Sequence, residues 1–555
     1  MILEYSLDYR SNSLVYEKIF LQTLSETNLK GTISKNHFDL KLYVEADTTQ
    51  ELEDFATKFA ASLPHSIFLY DSNAKMCDSM PSGYQLPSQE KLPLPFCPNC
   101  LAKVKDENSA NYYDIFTQCD ACGYSTDGEH RSYKEEFASL AQDIKDGKII
   151  NINTFYGNYN IGLPSDVPNG IEFDLVAYDL LTIEKYTNAK PHDITALGSF
   201  EKPLVKLKKK LKLTMDYENI EADLIRFKLA DDFVLFLLLE ELHKLDIDLI
   251  FITNDELTHD KSCHLVEPKQ SYTPIEVVAS STHVAIVSGD KGLPTFVSQA
   301  TKLNPSVGAM YSIIKEHKLS DENIAGIYLS RKFPTNILVH GEKYNTVEYL
   351  SINFEFESMS DVFEQIKADG ENGAKIFANY QNKNPELIQR LEGIVFEDKE
   401  FNIYKLWGIV SLVLGYSSDS DVLKSAKVLE DSAMAFLGER GPRIDYKLKN
   451  IDGKVALDPL MTIRTAMSFS LAGVDQLMLS FGVIESFIEF LSNEVDELNQ
   501  SMQTSAVTVA GSMLSNGMIF NKVCNEVAKN HSIYFNNQLP VDGRNIIYGG
   551  VSLED

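Results

Sequence analysis

Cys97-Pro98-Asn99-Cys100 and Cys119-Asp120-Ala121-Cys122 are two Cys-x2-Cys pairs, and the eighteen residues between them set their spacing. Together they hold four of the seven cysteines of the chain. Each pair can bring two thiolates to one edge of a tetrahedron, so the two pairs supply the four sulfur ligands that Zn²⁺ prefers. Such a set leaves no open coordination position, and the spacing therefore predicts a structural zinc site. Two disulfides are the alternative, which the absence of a visible secretory signal disfavours.

The composition around this site indicates an acidic multidomain protein. At about 150 residues per domain, 555 residues suggest three or four domains. Lys and Arg number 51 against 80 Asp and Glu, and the net charge of -29 disfavours nucleic acid and favours a basic partner. No apolar stretch reaches the roughly 20 residues that cross a bilayer, and no targeting segment is visible. We expect a cytoplasmic protein with no transmembrane span.

Upstream of the cysteines, residues 1–75 alternate strand-like and helix-like segments. The pattern predicts strands at 2–7, 38–44 and 67–70, and helices at 16–24 and 52–63. This order is compatible with a small split βαβ domain.

Downstream of the cysteines, the pattern predicts a mixed α/β region. Its predicted elements are helices at 134–144 and 233–244 and strands at 148–152 and 247–253. A further predicted strand at 205–213 alternates leucine and valine with lysine, which places Lys206, Lys208, Lys210 and Lys212 on one face. That lysine row could hold phosphate or RNA, or it could be a solvated sheet face, which is the interpretation we favour.

The C-terminal half restarts its pattern twice, which suggests two α/β lobes. A predicted strand at 284–287 is followed by Gly289 and Gly292, and a predicted strand at 506–509 runs into Gly511. A strand, a glycine turn and a helix together place backbone N–H groups at a helix N-terminus, where phosphate can bind. The alternative role of such glycines is to relieve backbone strain.

The order of these regions resembles the HypF family, the carbamoyltransferases of nickel–iron hydrogenase maturation. Besides the eighteen-residue spacer, the segments that carry the resemblance are 116–123, 510–516, 539–543 and 546–550. The resemblance implies an α/β multidomain (α+β) protein with four modules. They are an acylphosphatase-like split βαβ domain at 1–75, a four-cysteine zinc-finger region at 76–132, a YrdC-like α/β domain at 133–272 and a two-lobed TsaD-like (ASKHA) domain at 273–555.

The catalytic motifs of that family are less evident than its scaffold. The acylphosphatase signature places an arginine in a glycine-containing loop after the first strand, whereas residues 9–15 hold Arg10 and no glycine. The TsaD-like module binds metal through His-x3-His, and the C-terminal half has no histidines at that spacing. The sequence is therefore similar to shortened, HydE-like members encoded in hydrogenase operons.

From this resemblance we expect a maturation accessory protein with a degenerate carbamoyltransferase site, and we name no catalytic residue. One alternative is an active carbamoyltransferase that uses carbamoyl phosphate and ATP to carbamoylate a partner cysteine. A second is a zinc-containing YrdC-like protein that binds RNA or nucleotide, supported by the lysine row. The resemblance implies a hydrogenase subunit or a maturation protein as partner. If ATP with Mg²⁺ binds, the expected residues are Gly289, Gly292, Gly511, Asn516 and Asp542.

One loop has no counterpart that we can place in ordinary HypF proteins. It reads Gly438-Glu439-Arg440-Gly441-Pro442-Arg443-Ile444-Asp445. Its two arginines could clamp a carboxylate or phosphate through bidentate hydrogen bonds. The alternative, to which we give equal weight, is a surface turn with solvated arginines.

Overall fold

The computed structural model describes residues 1–83, 95–120, 122–124, 127–268, 272–293, 304–343, 345–451 and 454–554. The chain forms two compact units, of which the first is Met1–Val277 with Ser288–Thr295 and the second is Val278–Val287 with Phe296–Asp555. Within the described ranges, no helix combines the length and the apolar character needed to span a membrane. The division into four modules stays a prediction.

The first unit begins with a four-stranded antiparallel sheet and two helices. The elements are β1 (Ile2–Tyr9), α1 (Val15–Thr27), β2 (Lys30–Asn36), β3 (Asp39–Glu45), α2 (Thr49–Ser62) and β4 (Leu69–Cys77). The sheet order is β2-β3-β1-β4, and a capping box of Thr48 and Glu51 starts α2. The sequence analysis missed β2 because Ile33 is its single buried residue, so the strand carries almost no alternation.

The rest of the first unit is a mixed sheet covered by helices. Eight strands follow the order β11-β5-β6-β10-β7-β9-β8-β12. The elements are α3 (Pro98–Lys105), α4 (Lys134–Lys145), β5 (Ile150–Thr154), β6 (Gly157–Gly162), β7 (Asp174–Ala177), α5 (Leu180–Tyr186), α6 (Pro191–Gly198), β8 (Leu204–Lys208), α7 (Leu211–Asp216), β9 (Leu224–Leu229), α8 (Phe233–His243), β10 (Leu249–Thr253), β11 (Lys261–Cys263) and β12 (Glu276–Ala279). The helices predicted at 134–144 and 233–244 are confirmed as α4 and α8.

The lysine row predicted on one strand is wrong. The strand β8 ends at Lys208, and the residues that follow turn into α7, so the four lysines share no sheet face. Three successive lysines at 208–210 break the alternation, and the later side chains bind acceptors of the chain itself. Lys210 Nζ donates to the Glu184 carbonyl at 2.5 Å, and Lys212 pairs with Asp216. The row therefore presents no phosphate-binding face.

The second unit is helix-rich around a five-stranded sheet of order β16-β15-β14-β21-β22. Its elements are β13 (Val284–Ser288), α9 (Pro305–His317), β14 (Ile324–Tyr328), β15 (Thr335–Gly341), β16 (Asn345–Ile352), β17 (Phe354–Glu355), α10 (Met359–Ala368), α11 (Gly370–Lys383), α12 (Pro385–Leu391), β18 (Glu400–Phe401), α13 (Ile403–Val413), α14 (Val422–Ala435), β19 (Leu448–Ile451), β20 (Lys454–Leu457), α15 (Pro459–Leu471), α16 (Gln476–Met502), β21 (Ala506–Ala510), α17 (Gly517–Val527), β22 (Ser532–Tyr534) and α18 (Arg544–Glu554). β14 and β21, one from each predicted lobe, pair in parallel. Trp407 lies fully buried in this unit's core.

Candidate functional site

The four cysteine sulfurs of the two Cys-x2-Cys pairs lie together. The Sγ atoms of Cys97 and Cys100 are 3.7 Å apart, those of Cys97 and Cys119 are 3.9 Å apart, and those of Cys100 and Cys122 are 3.7 Å apart. A tetrahedral ion with metal–sulfur bonds of about 2.3 Å requires S–S edges of about 3.8 Å, whereas a disulfide bond is about 2.05 Å long. The sulfurs are thus spaced to hold a metal ion, and all seven cysteines are free thiols.

Local backbone structure aims these sulfurs at one point. Cys97 caps α3, whose first residue is proline, and Cys100 follows in the first turn. In the second pair, the Gly123 N–H donates to the Cys119 carbonyl at 2.9 Å, and Gly123 has a φ of +75°. Hydrogen bonding with Cys100 lowers the pKa of the Cys97 and Cys119 thiols, whereas hydrogen bonding with Cys119 raises the pKa of the Cys100 thiol. Lower pKa values favour the thiolate form that binds metal.

An aromatic cluster ties this cysteine site to the start of α8. The Phe96 ring stacks on Phe233 at a centroid distance of 4.4 Å, and Tyr124 meets Phe233 edge-on at 4.9 Å. On the same helix, Glu241 accepts a 2.5 Å hydrogen bond from the Tyr113 hydroxyl. A metal held by the cysteines would therefore fix the position of these aromatic side chains, which is a structural role.

A second candidate site is a cavity of about 350 Å³ in the first unit. The Arg226 guanidinium in its wall donates to Asp174 at 2.5 Å, and Lys228 Nζ donates to Asp231 at 3.0 Å. Burial raises the pKa of Asp174 and of Glu276. Carboxylates outnumber cations among the charged residues of the lining, which are Glu172, Asp174, Asp255, Glu276, Arg226 and Lys228.

Next to this cavity, buried lysine and aspartate side chains form ion pairs with one another. Asp231 binds Lys228 and also accepts from Lys291 Nζ at 2.7 Å, and both lysine side chains are 3% exposed. Burial lowers the pKa of Lys291 to about 8, because desolvation of the ammonium outweighs its attraction to Asp231. Asp232 caps α8, and burial together with the charge of Asp231 raises its pKa to about 6. No spacing pattern in the sequence predicts this cluster of buried charges.

Gly289 and Gly292 flank Lys291 in the first unit. A Cβ atom on Gly289 would lie 2.2 Å from the Pro274 carbonyl oxygen, and its φ is +91°. The N–H groups of Asp290 and Lys291 donate to the carbonyl of Thr273. These contacts hold the turn that carries Lys291 into the buried cluster, and they account for the glycine at 289.

The turn after β21 lies in the second unit and is closed by its own hydrogen bonds. The N–H of Gly511 donates to the Val541 carbonyl at 2.7 Å, and the N–H of Met513 donates to the Leu329 carbonyl at 3.0 Å. The Leu514 N–H returns to the carbonyl of Gly511 at 3.1 Å. A Cβ on Gly511, whose φ is +116°, would meet the Leu329 oxygen at 2.2 Å. Three N–H groups of the predicted phosphate-binding turn thus already donate to carbonyl oxygens of the chain.

Arg331 lies against the same turn. Its guanidinium donates to the Ser512 carbonyl at 2.5 Å and forms an ion pair with Glu430, which is nearly fully buried. The Arg331 backbone N–H donates to Ser512 Oγ at 3.0 Å, and the Tyr404 hydroxyl donates to Glu430 at 2.9 Å. The positive charge of Arg331 is therefore balanced by Glu430, and its guanidinium already donates hydrogen bonds within the chain.

The remaining predicted nucleotide residues lie near this turn. Asn516 Oδ1 accepts the N–H groups of Met518 and Ile519 and thereby caps α17. Asp542 follows Val541, the acceptor for Gly511, and receives a 3.2 Å hydrogen bond from the Tyr328 hydroxyl. The structure therefore brings Gly511 and Asp542 to neighbouring positions, whereas Gly289 and Gly292 belong to the other compact unit.

Comparison with known proteins follows this geometry. No protein-family model matches the sequence. Protein HydE of Wolinella succinogenes is 26% identical over 428 residues, which are 75% of each chain. The fold matches full-length HypF in its phosphate- and nucleotide-bound form, with a TM-score of 0.62, 14% identity and coverage of 100% of this chain and 98% of that chain. It also matches T. kodakarensis HypF, with a TM-score of 0.66, 12% identity and coverage of 100% and 99%.

The chain is thus similar to HydE in sequence and to HypF in fold. The whole-chain matches and the cysteine cluster confirm the predicted α/β multidomain fold with a four-cysteine metal-binding site.

The loop after β1 holds one arginine, and its guanidinium has partners within the chain. Arg10 pairs with Asp8 at 2.9 Å, and its guanidinium lies 3.8 Å from the centroid of the Tyr70 ring. The neighbouring serines at 11 and 13 are buried, and Ser13 N–H donates to Ser11 Oγ at 3.1 Å. An anion entering this loop would have to displace Asp8 from Arg10.

Proposed function

We propose that this chain is a HypF-related accessory factor of nickel–iron hydrogenase maturation. It has a degenerate carbamoyltransferase site and acts by binding a hydrogenase subunit or another maturation protein. The HypF fold along the whole chain and the HydE relative support the maturation role. One observation supports a degenerate site. At each candidate anion site, the cations and N–H groups that would bind a phosphate already bind other groups of the chain.

The acidic cavity of the first unit supports this proposal. Acyl phosphates and nucleotides carry several negative charges, and their enzymes stabilise them with cations and hydrogen-bond donors aimed at the phosphoryl oxygens. Here Arg226 is paired with Asp174 and Lys228 with Asp231, so a phosphate would compete with fixed carboxylates for both cations. It would also face Asp255 and Glu276, which line the same cavity.

The turn at Gly511 supports the proposal in a second way. A phosphate cradle requires backbone N–H groups that have no other acceptor. The N–H groups of Gly511, Met513 and Leu514 each donate to a carbonyl, and Arg331 is engaged by Glu430 and Ser512. A nucleotide at this turn would have to break these bonds before it could form its own.

For the cysteine cluster we propose structural zinc. The donors are four sulfurs, which Zn²⁺ favours in closed tetrahedral sites. Three of the four cysteines are buried, and Cys119 is half-buried, so the ion would have no open position for chemistry. When the chain folds, the free energy of metal binding becomes part of the free energy of folding.

Active carbamoyl transfer is the second candidate, and one observation favours it. The fold is that of a HypF structure solved with phosphate and nucleotide bound. In that case the predicted residues of the second unit, Gly511, Asn516 and Asp542, would bind ATP with Mg²⁺, and carbamoyl phosphate would be the donor for a partner cysteine. The RNA-binding alternative was supported by the predicted lysine row. Because the four lysines do not share a sheet face, that support is lost.

Turnover by the purified full-length protein tests the proposal. The protein is incubated with Mg²⁺, ATP and carbamoyl phosphate, and AMP and pyrophosphate are measured, with an active HypF as the positive control. We expect no product above the protein-free reaction. Product formation that a Lys228→Met variant of unchanged fold abolishes would establish the enzyme instead.

A genetic experiment separates accessory function from catalysis. Deletion of the gene is expected to lower hydrogenase activity in the host, and the wild-type chain should restore it. An Asp542→Asn variant should restore it equally well if the chain acts by binding. Failure of this variant, while it remains folded and bound to its partner, would favour catalysis.

A further inference from the structure

The loop at residues 437–443 carries two arginines that form no hydrogen bond or ion pair with the residues that the structure describes. The sequence has nine arginines, all of them in described ranges. Seven of them have a hydrogen bond, an ion pair or another polar interaction, namely Arg10, Arg131, Arg226, Arg331, Arg390, Arg464 and Arg544. Within the described part of the chain, Arg440 and Arg443 form neither a hydrogen bond nor an ion pair, and both are exposed. In a chain with 80 carboxylates, this absence of pairing is unexpected for arginine.

The backbone beneath these arginines is fixed by two glycines in direct contact. A Cβ on Gly441 would lie 2.4 Å from Gly482 Cα in α16, and a Cβ on Gly482 would lie 2.4 Å from the Pro442 carbonyl oxygen. Each position therefore excludes any side chain. The close approach holds the loop against α16, with Arg440 immediately before and Arg443 immediately after the contacting residues Gly441 and Pro442 in the sequence.

Two side chains of α16 hold the loop in that position. Glu485 Oε2 accepts the Gly441 N–H at 2.8 Å, and Ser486 Oγ accepts the Ile444 N–H at 2.9 Å. Glu485 also pairs with Lys522, so its charge is balanced without either arginine. The backbone that carries the two arginines is thus held in one conformation. This reduces the conformational entropy that is lost when a partner binds.

Apolar surface accompanies the charge. Leu437, at the start of the loop, is 70% exposed, and Met478 of α16 is 39% exposed. The Met478 backbone carbonyl lies 3.0 Å from the position that a Cβ on Gly441 would take, so this residue is adjacent to the loop. Exposed methionine and arginine are enriched at protein interfaces, and arginine is among the residues that most often dominate the binding energy.

We propose that Leu437, Arg440, Arg443 and Met478 form a docking surface for an acidic segment of a partner polypeptide. The proposal rests on the accessory function and names the surface through which it acts. Guanidinium groups bind carboxylates in bidentate geometry, and the polypeptide supplies apolar side chains for the leucine and methionine. The net charge of -29 favours a basic partner overall and repels an acidic segment from most of this chain. Glu439 beside Arg440 is also exposed, so it is the two arginines that set where an acidic segment docks.

Site-specific photo-crosslinking in the native host tests the surface. Leu437 is replaced by p-benzoylphenylalanine in the full-length protein, and the crosslinked peptides are identified by mass spectrometry after irradiation. We expect one partner polypeptide, crosslinked within a segment rich in Asp and Glu. Arg440→Glu/Arg443→Glu should reduce the crosslink at least tenfold, and raised salt should weaken it. The variant should keep the melting temperature, because neither arginine side chain forms a hydrogen bond or an ion pair with the described residues.

The matched control is Lys343→Glu/Lys375→Glu, which makes the same change in charge at two exposed lysines of the second unit. This variant should crosslink like the wild type. A crosslink that survives the arginine changes, falls equally with the lysine control, reaches nucleic acid or reaches a segment without acidic residues would overturn the proposal, as would the absence of any crosslink.

The same strains distinguish this inference from the accessory function. If gene deletion leaves hydrogenase activity unchanged, the accessory function fails whatever the crosslink shows. If deletion lowers the activity and the arginine variant restores it fully, the accessory function stands and this surface is not the one that it uses.

Discussion

The cysteine cluster and the turn at Gly511 were both recognised from short sequence patterns, and they differ in what their polar groups still require. The four sulfurs of the cluster converge at 3.7 to 3.9 Å along the measured edges, and four thiols at this spacing have no better partner than a metal ion. The N–H groups at Gly511, in contrast, donate to carbonyls of their own unit. A motif thus indicates a ligand only when its binding atoms remain unsatisfied after folding.

The largest effect is expected from breaking the cluster. Cys119→Ser should remove most of the bound zinc and destabilise the first unit by several kcal/mol, since metal binding by such sites contributes on the order of 10 kcal/mol to folding. Zinc content by mass spectrometry and circular dichroism melting measure the two effects. Cys77→Ser, which changes a cysteine outside the cluster, is the control and should alter neither.

The next effect concerns the ion pair that closes the turn. Arg331→Met should destabilise the second unit by about 3 to 5 kcal/mol, because it leaves the buried Glu430 carboxylate without its cation. The single tryptophan, Trp407, is buried in that unit, so its fluorescence during urea unfolding reports the change.

The double variant Arg331→Met/Glu430→Met provides the matched comparison for this ion pair. It should recover at least half of the loss, since an apolar pair of similar volume leaves no unpaired charge. If the single variant unfolds at the wild-type urea concentration, the turn is not held by this ion pair and the comparison with the cysteine cluster is weakened.

Gly511→Ala is expected to have a smaller effect on the same unit. The substitution combines a positive φ with a 2.2 Å contact to the Leu329 oxygen, and we expect a loss of about 3 kcal/mol in the Trp407 transition. Gly473→Ala separates the two causes. Its φ is +84° and no atom lies within 4 Å of the added Cβ, so only about 1 kcal/mol should be lost. Equal losses at the two positions would contradict the close approach at Gly511.

The smallest effect concerns a buried carboxylate with no partner of its own. Glu494 has no hydrogen bond or ion pair among the described residues, and burial together with Glu497 raises its pKa to about 7. The folded state therefore keeps a proton that the unfolded state loses, so stability falls as the pH rises from about 4.5 through 7.

Glu494→Gln should consequently stabilise the second unit by on the order of 1 to 2 kcal/mol at pH 8, and the gain should shrink toward pH 5. Urea unfolding at both pH values, followed by Trp407 fluorescence, measures it. Glu497→Gln, at an exposed position, should give a smaller gain. A gain for Glu494→Gln that does not depend on pH would mean that the carboxylate is not the cause.

Sequence patterns were informative where the physical cause is local. The Cys-x2-Cys spacing predicted a cluster that the structure assembles, and apolar periodicity predicted α4 and α8. Periodicity failed at 205–213, where a run of lysines ends one strand and a helix follows. It also missed β2, whose exposed residues carry no alternation.

By itself, the sequence determined the metal-binding cysteines, the acidic charge and the resemblance to the HypF family, because spacing and composition need no distant contacts. Only the tertiary structure decided which polar groups remain available. The ion pair of Arg331 with Glu430 and the close contact of Gly441 with Gly482 join residues 99 and 41 positions apart in the chain. Such partners are chosen by packing, and packing closes the turn at Gly511 while it leaves Arg440 and Arg443 exposed.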